Sequence, residues 1–164
     1  MDFLSRAEEG ADSLSLFVPT MKELHEIFEL RTTQCAEILD RLLAAPAFAF
    51  DDSLRLRLPI KPGLYVIARK DVPKGEYLHA GQSPKAKEGL RSRVWSQHFT
   101  GGGDSAGSDL VQKVIDKGQA DGRAASQAWI RANCLVQWLV EEDKDLRCWA
   151  EHYMLSVLRP IWGR

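Results

Sequence analysis

Two short alternating segments, Leu64–Ala68 and Tyr77–Gly81, constrain the fold of this chain most. In both, the side chains alternate with a period of two, which is the spacing of a β-strand. The connection between them contains Pro73 and Gly75, two residues that favour turns. The pattern therefore predicts a β-hairpin. One face of the hairpin is small and apolar, and the other gathers two phenols and an imidazole within cross-strand reach, those of Tyr65, Tyr77 and His79.

The other segments from Leu54 onward predict a small sheet flanked by helices. Ser53–Ile60 alternates leucine and arginine, which is compatible with an edge strand whose Arg55 and Arg57 face outward. Trp129–Val140, after the polar stretch Gln119–Ala128, is rich in β-branched and aromatic residues and predicts a more buried strand. Helices are predicted from Ser83-Pro84 to about Phe99, over Asp109–Gly118 and over Asp145–Leu158. We expect an α+β domain over residues 54–164 with a small three-stranded antiparallel or mixed sheet.

Residues 1–53 predict an acidic helical extension of that domain. Thr20 is a good N-cap, and Glu23 three positions later completes a capping box. Apolar residues then recur at helical spacing as far as Leu43. The adjacent Thr32 and Thr33 leave open whether this is one long helix or two shorter ones. We expect the segment to pack on the domain that follows; a dimer interface is the alternative, and the oligomeric state stays open.

The composition is that of a soluble protein. None of the 164 residues belongs to an apolar run long enough to span a bilayer, and the acidic N-terminal residues are unlike a secretory signal. The three cysteines are odd in number, widely spaced and without neighbouring metal ligands, which suits reduced thiols. We therefore expect a cytoplasmic protein with no membrane partner.

Charge is segregated along the chain, although the net charge is only −1. Residues 1–53 contain 4 Lys or Arg against 11 Asp or Glu, whereas residues 54–98 contain 10 against 3. A basic segment of this kind favours an anionic partner such as DNA. The alternative is that the acidic extension docks on the basic domain, and the two interpretations are compatible.

Four short motifs lie in order along the predicted elements of the domain. They are Gly63-Leu64-Tyr65 on the first hairpin strand, His79-Ala80-Gly81 on the second, Leu90 with Arg93 and Val94 on the next helix, and Glu151 with Pro160 at the last helix. In this order they resemble the motifs of the GIY-YIG nuclease superfamily, over roughly Ile60–Gly163. One tripeptide is a weak signal, whereas four motifs in the right order are much more specific.

The resemblance implies a metal-dependent endonuclease that hydrolyses DNA phosphodiester bonds. Tyr65 would act as general base or orient the attacking water, and Arg93 or Arg91 would hold the scissile phosphate. Glu151 would bind one divalent cation, Mg²⁺ or alternatively Mn²⁺.

The second motif differs from the family, because His79 stands where the family has a tyrosine. Tyr77, two residues earlier, is a secondary candidate for that role. An imidazole titrates much closer to neutrality than a phenol, so His79 could activate Tyr65 or take the proton itself.

The helix after the hairpin contains the remaining candidates. His98 lies five residues after Arg93, and α-helical spacing places it on the face of Arg91, seven residues earlier. Either arginine therefore remains a candidate for the catalytic role. Lys85 and Lys87 precede them and would contact phosphates of the nucleic acid.

Two functional classes remain open from the sequence. Tyr65, an arginine and Glu151 favour the endonuclease. His79, together with Gly163 where the family usually has an asparagine, favours a catalytically degenerate module that binds nucleic acid or another protein.

Overall fold

The computed structural model describes residues 19–71, 76–84, 89–101 and 110–163. These residues form an α+β fold, which confirms the predicted class. The elements are, in chain order, α1 (Met21–Ala44), β1 (Phe48–Ala49), α2 (Leu54–Arg57), β2 (Gly63–Arg69), β3 (Tyr77–Ser83), a π-helix (Arg91–Phe99), α3 (Leu110–Asp116), α4 (Gly122–Asn133), β4 (Cys134–Val140) and α5 (Lys144–Leu158).

The strands form one antiparallel sheet in the order β1-β4-β2-β3. The predicted hairpin is confirmed as β2 and β3, while its turn with Pro73 and Gly75 lies outside the described residues. In the middle of the sheet, Tyr65 pairs with Gly81 of β3 and with Trp138 of β4. The sheet has one strand more than predicted, because the short β1 pairs with the outer edge of β4.

Helices cover both faces of the sheet. α1 and α5 pack on the face of Leu64 and Val66, and we call them the α1–α5 layer. α2, the π-helix, α3 and α4 pack on the face of Tyr65 and Ile67, and we call them the Tyr65 layer. β2 therefore has a helical layer against each of its faces, which is why its first five residues are all buried.

α1 begins at the predicted capping box and runs without interruption. Thr20 accepts a hydrogen bond from the backbone N–H of Glu23, whose carboxylate in turn accepts from the backbone N–H of Thr20. Thr32 and Thr33 do not break the 24-residue helix, so the single-helix alternative is correct. Its second half packs on the sheet through residues such as Leu42, whereas Met21–Leu30 is exposed.

The edge strand predicted over Ser53–Ile60 is wrong, because this segment contains the single helical turn α2. Leu54 and Leu58, four residues apart, are completely buried, while Leu56 between them is 81% exposed. A strand would have placed all three leucines on one face. The alternation of leucine with arginine imitates a strand, but only two of the leucines enter the core.

The strand predicted over Trp129–Val140 is half correct. β4 begins only at Cys134, and the residues before it form the end of α4. The stretch Gln119–Ala128 was predicted to be merely polar, yet α4 begins within it at Gly122. The aromatic and β-branched residues at the end of α4 suit a strand by propensity, but tertiary packing overrides such preferences.

A β-bulge changes the face of one predicted site residue. Ile67 pairs with His79, but the next residue, Ala68, pairs with Tyr77, so Leu78 is extra in β3. Tyr77 consequently packs with the α1–α5 layer, on the opposite face from His79. The prediction that both lie on one face is therefore wrong.

The remaining helices follow the sequence with small shifts. α5 begins one residue earlier than predicted and is capped by Asp143. α3 lies within the predicted range Asp109–Gly118, of which Asp109 lies outside the described residues. The helix predicted from Ser83-Pro84 does not begin at Ser83, which is the last residue of β3. Within the described part of the chain, no helix is sufficiently long and apolar to cross a membrane.

Candidate functional site

Tyr65 lies at the centre of the site, on β2, which runs between β3 and β4 in the sheet. Its side chain is completely buried beneath the Tyr65 layer. The hydroxyl lies directly over Gly81, where a β-carbon would be only 2.7 Å from the phenolic oxygen. Gly81 is therefore required for the close approach of this ring to β3.

Among the described residues, three side chains lie within hydrogen-bonding distance of the hydroxyl of Tyr65. Nε2 of His98 lies 2.6 Å from it and Nε2 of His79 lies 3.4 Å from it. Nε of Arg93 donates a hydrogen bond to the same oxygen at 3.3 Å. β2, β3 and the π-helix thus bring together four of the predicted site residues. Together with Lys113 of α3, whose ammonium lies 3.2 Å from Nδ1 of His79, we call them the Tyr65 cluster.

The π-helix decides which arginine reaches Tyr65. Its hydrogen bonds connect residues five apart, as between the N–H of Thr100 and the carbonyl of Trp95. Residues five apart, such as Arg93 and His98, therefore lie about one turn apart, and both reach the phenol. α-Helical spacing had placed Arg91 on the face of His98, and that prediction is wrong.

Arg91 instead has a structural contact. Its Nε donates a hydrogen bond to the carbonyl of Leu58, at the end of α2, at 3.1 Å. This bond ties the start of the π-helix to α2.

Lys113 of α3 was not among the predicted site residues. Its ammonium lies 3.2 Å from Nδ1 of His79 and donates to the carbonyl of Trp162 at 3.0 Å. A usable signal exists in the sequence, since Lys113 follows Leu110 by three residues and therefore lies beside the apolar stripe of a short helix. A lysine at the margin of such a stripe is partly desolvated.

Burial and two cations keep both imidazoles neutral. Burial lowers the pKa of His79 to about 3, with smaller contributions from the charges of Lys113 and Arg93. Burial also lowers the pKa of His98 well below its ordinary value, helped by His79, Arg93 and Lys113. Burial, and then Arg93, lowers the pKa of Lys113 itself. At neutral pH each imidazole therefore presents one nitrogen lone pair that can accept a proton.

His98 has an unusual feature. Among the described residues, its Nδ1 atom has no hydrogen-bond partner, although the side chain is completely buried. If Nε2 accepts the phenolic proton of Tyr65, Nδ1 must carry the proton of the neutral ring. The tautomer is thus inferred from the contacts of the other nitrogen.

Glu151 lies on the opposite side of the sheet from the phenol of Tyr65. It lies on α5 among residues of the α1–α5 layer and accepts a hydrogen bond from the amide of Gln82 at 2.9 Å. Gln82 pairs with Leu64, which faces that layer, and its amide oxygen accepts a hydrogen bond from Arg147. The structure therefore does not place Glu151 in the layer that holds the phenol of Tyr65.

The surroundings of Glu151 do not fit the magnesium ion that the resemblance implies. Mg²⁺ bound through one carboxylate keeps several waters, whereas Glu151 is 3% exposed and already accepts a hydrogen bond from Gln82. The described residues contain no group of three or more His, Cys, Asp or Glu side chains that could hold a metal ion. We therefore derive no chemical step through a metal.

Two predicted contacts cannot be placed. Lys85 and Lys87 lie outside the described residues, so their predicted contact with nucleic acid stays a prediction.

Comparison with known proteins gives no relative for this chain. No family model, no curated protein and no solved structure matches it.

Proposed function

We propose that this protein is an endonuclease that hydrolyses phosphodiester bonds of DNA at the Tyr65 cluster. The observation that supports this most is the hydroxyl of Tyr65, which lies between the imidazoles of His98 and His79 and accepts a hydrogen bond from Arg93. A phenol next to neutral imidazoles can relay a proton, and a guanidinium can neutralise a phosphate.

The contacts suggest a division of roles. Hydrolysis requires a group that takes a proton from the attacking water. Tyr65 takes that proton on its oxygen as its own proton moves along the 2.6 Å hydrogen bond towards Nε2 of His98. As the water oxygen bonds to phosphorus, the bond from phosphorus to the leaving sugar oxygen breaks, and that oxygen takes a proton from bulk water. An unperturbed phenol titrates near pH 10, so it needs such an acceptor to act at neutral pH. Arg93, only partly buried, binds the phosphate and stabilises the charge that develops on it.

The charge of the Tyr65 layer supports a nucleic-acid substrate. Its four helices contain seven Lys or Arg residues and one acidic residue, Asp116. α1 and α5 contain five Lys or Arg residues against seven Asp or Glu residues. A polyanion is therefore attracted to the side of the sheet where Tyr65 lies.

A second candidate is a module of the same fold that binds nucleic acid without cleaving it. Two observations favour it, namely the complete burial of Tyr65 and the position of Glu151 among the α1–α5 layer. The basic Tyr65 layer would serve binding equally well.

Nicking of supercoiled plasmid tests the proposal, with Mg²⁺, with Mn²⁺ and with EDTA. We expect the wild type to nick, and Arg93→Gln to slow nicking on the order of 100-fold, because a donor to the developing charge is lost. Arg91→Gln is the matched control, since Arg91 contacts a backbone carbonyl of α2, and it should nick at close to the wild-type rate.

The reactions with Mg²⁺, Mn²⁺ and EDTA, and further DNA substrates, separate the remaining outcomes. Nicking that stops in EDTA and in Glu151→Gln would show that the carboxylate binds a metal after a rearrangement at Gln82. Absence of cleavage of plasmid, branched DNA and single-stranded DNA in every condition would contradict the endonuclease. Salt-sensitive DNA binding by such an inactive protein would establish the second candidate.

A further inference from the structure

Residues 160–163 lie along the outer edge of β3, the edge that does not pair with β2, and Gly163 contacts His79. We call these residues the edge segment. The backbone N–H groups of Ile161 and Trp162 donate to the carbonyls of Tyr77 and Leu78, each at 2.9 Å. The ring of Trp162 packs against that of Trp129 on α4, with 5.7 Å between ring centroids. The edge segment is thus fixed to both the sheet and the Tyr65 layer.

Two carbonyls of the edge segment reach the Tyr65 cluster. That of Gly163 lies 2.9 Å from Nδ1 of His79. That of Trp162 accepts a hydrogen bond from the ammonium of Lys113 at 3.0 Å. The same ammonium lies 3.2 Å from Nδ1 of His79, so one ring nitrogen has a carbonyl and an ammonium as neighbours.

These two neighbours require opposite tautomers of His79. A carbonyl only accepts, so its contact requires a proton on Nδ1, whereas an ammonium only donates and would require a lone pair there. The ammonium of Lys113 already has the carbonyl of Trp162 as acceptor. That bond uses one of its three N–H groups, and the contact of Nδ1 with Gly163, at 2.9 Å, is shorter than its contact with the ammonium, at 3.2 Å, which favours a proton on Nδ1.

We infer that Lys113 and the carbonyl of Gly163 are positioning groups that hold His79 as the Nδ1–H tautomer, with the Nε2 lone pair towards the hydroxyl of Tyr65. Lys113 acts through the edge segment, because its bond to Trp162 fixes the carbonyl of the next residue. Nε2 of His79, 3.4 Å from the hydroxyl, is then an alternative acceptor of the single phenolic proton, which Nε2 of His98, at 2.6 Å, otherwise accepts. The consequence for cleavage rests on the proposed function, whereas the tautomer does not.

The tautomer is measurable by nitrogen NMR of the full chain labelled with ¹⁵N-histidine. The chain has four histidines, and His79→Asn identifies the signals of His79. We expect the wild type to show a protonated Nδ1 and an unprotonated Nε2 at neutral pH. Lys113→Met should abolish this single-tautomer pattern, and Lys113→Arg should restore it, because a guanidinium can also donate to the carbonyl of Trp162.

Lys117→Met is the matched control, since it removes the same charge from an exposed position just after α3. It should leave the signals of His79 unchanged. In the plasmid assay, Lys113→Met should lower kcat on the order of 10-fold to 100-fold without a matching change in KM, because a base is mispositioned.

Two results would each overturn the inference. One is a protonated Nε2 of His79 in the wild type, and the other is an Nδ1–H tautomer of His79 that persists in a folded Lys113→Met variant. Circular dichroism and thermal unfolding establish that the variant is folded. If the wild type has the Nδ1–H tautomer but cleaves no DNA, the inference stands and the proposed function fails.

Discussion

At the scale of single residues, the site depends on histidines that stay neutral. His79 and His98 are buried beside Arg93 and Lys113, and both burial and these cations oppose protonation. A protonated imidazole could not accept the proton of Tyr65. Burial beside these cations leaves a lone pair on each ring but makes each ring a weaker base than a free imidazole, and it also makes the fold sensitive to acid.

This sensitivity predicts how stability depends on pH. The pKa of His79 falls from 6.5 to about 3 in the folded chain, so between these values the unfolded state binds the extra proton. Its contribution is complete above pH 6.5 and is lost as the pH falls towards about 3. In urea unfolding between pH 6.5 and about 5, His79→Asn should reduce the slope of the unfolding free energy against pH by up to about 1.4 kcal/mol per pH unit.

The control for this measurement is His25→Asn, which changes an exposed histidine on α1. The slope of His25→Asn should stay closer to that of the wild type than the slope of His79→Asn does, because this substitution leaves the buried Tyr65 cluster intact. A slope that is unchanged in His79→Asn would show that His79 is not held neutral by the fold.

At the scale of elements, the departures from the sequence predictions share a cause. The hairpin, α1 and α5 follow regular periods and were predictable. The π-helix, the β-bulge at Leu78 and the turn α2 each shift the period by a residue or imitate another period. These irregularities decide which side chains meet Tyr65, because they place Arg93 near it and turn Tyr77 away.

The contrast between α2 and the strand that was expected there is testable by a matched pair. Leu54→Ala should lower the free energy of unfolding by about 2–5 kcal/mol, because it leaves a cavity in the cluster that contains Tyr65. Leu56→Ala, at an exposed position, should change it by no more than about 0.5 kcal/mol. Chemical denaturation measures both. Similar losses in the two variants would indicate the strand instead of the helical turn.

The membership of the site was only partly predictable. Tyr65, His79 and Arg93 were found because they lie on short motifs of fixed order, and His98 because it follows Arg93 by five residues on the same helix. Lys113 was missed because its contact with His79 joins residues 34 positions apart; its place beside the apolar stripe of α3 predicts partial burial but not this partner. Glu151 was predicted to join them, but the partner seen for it, Gln82, faces the other layer.

At the scale of the whole molecule, the sheet separates two layers of different charge. The helices around Tyr65 are basic, and α1 with α5 is slightly acidic. The segregation seen along the sequence thus becomes a segregation across the sheet. An anionic polymer should bind on one side only, with an affinity that falls as salt rises.

Salt titration of DNA binding tests this asymmetry. The double variant Arg55→Gln/Arg57→Gln removes two exposed charges of the Tyr65 layer and should reduce the slope of log K against log salt by about 2. The charge-matched control Lys22→Gln/Arg41→Gln, on α1, should leave the slope unchanged. Equal effects of the two double variants would contradict binding on the Tyr65 side.

The most direct test of the central claim is plasmid nicking by Tyr65→Phe beside Tyr153→Phe. The first change removes only the hydroxyl at the centre of the Tyr65 cluster, and the second removes one from α5 in the other layer. We predict that Tyr65→Phe loses nicking by about 10²-fold to 10⁴-fold while still binding DNA, because the proton relay is gone. Tyr153→Phe should nick like the wild type. Wild-type nicking by Tyr65→Phe would contradict the account.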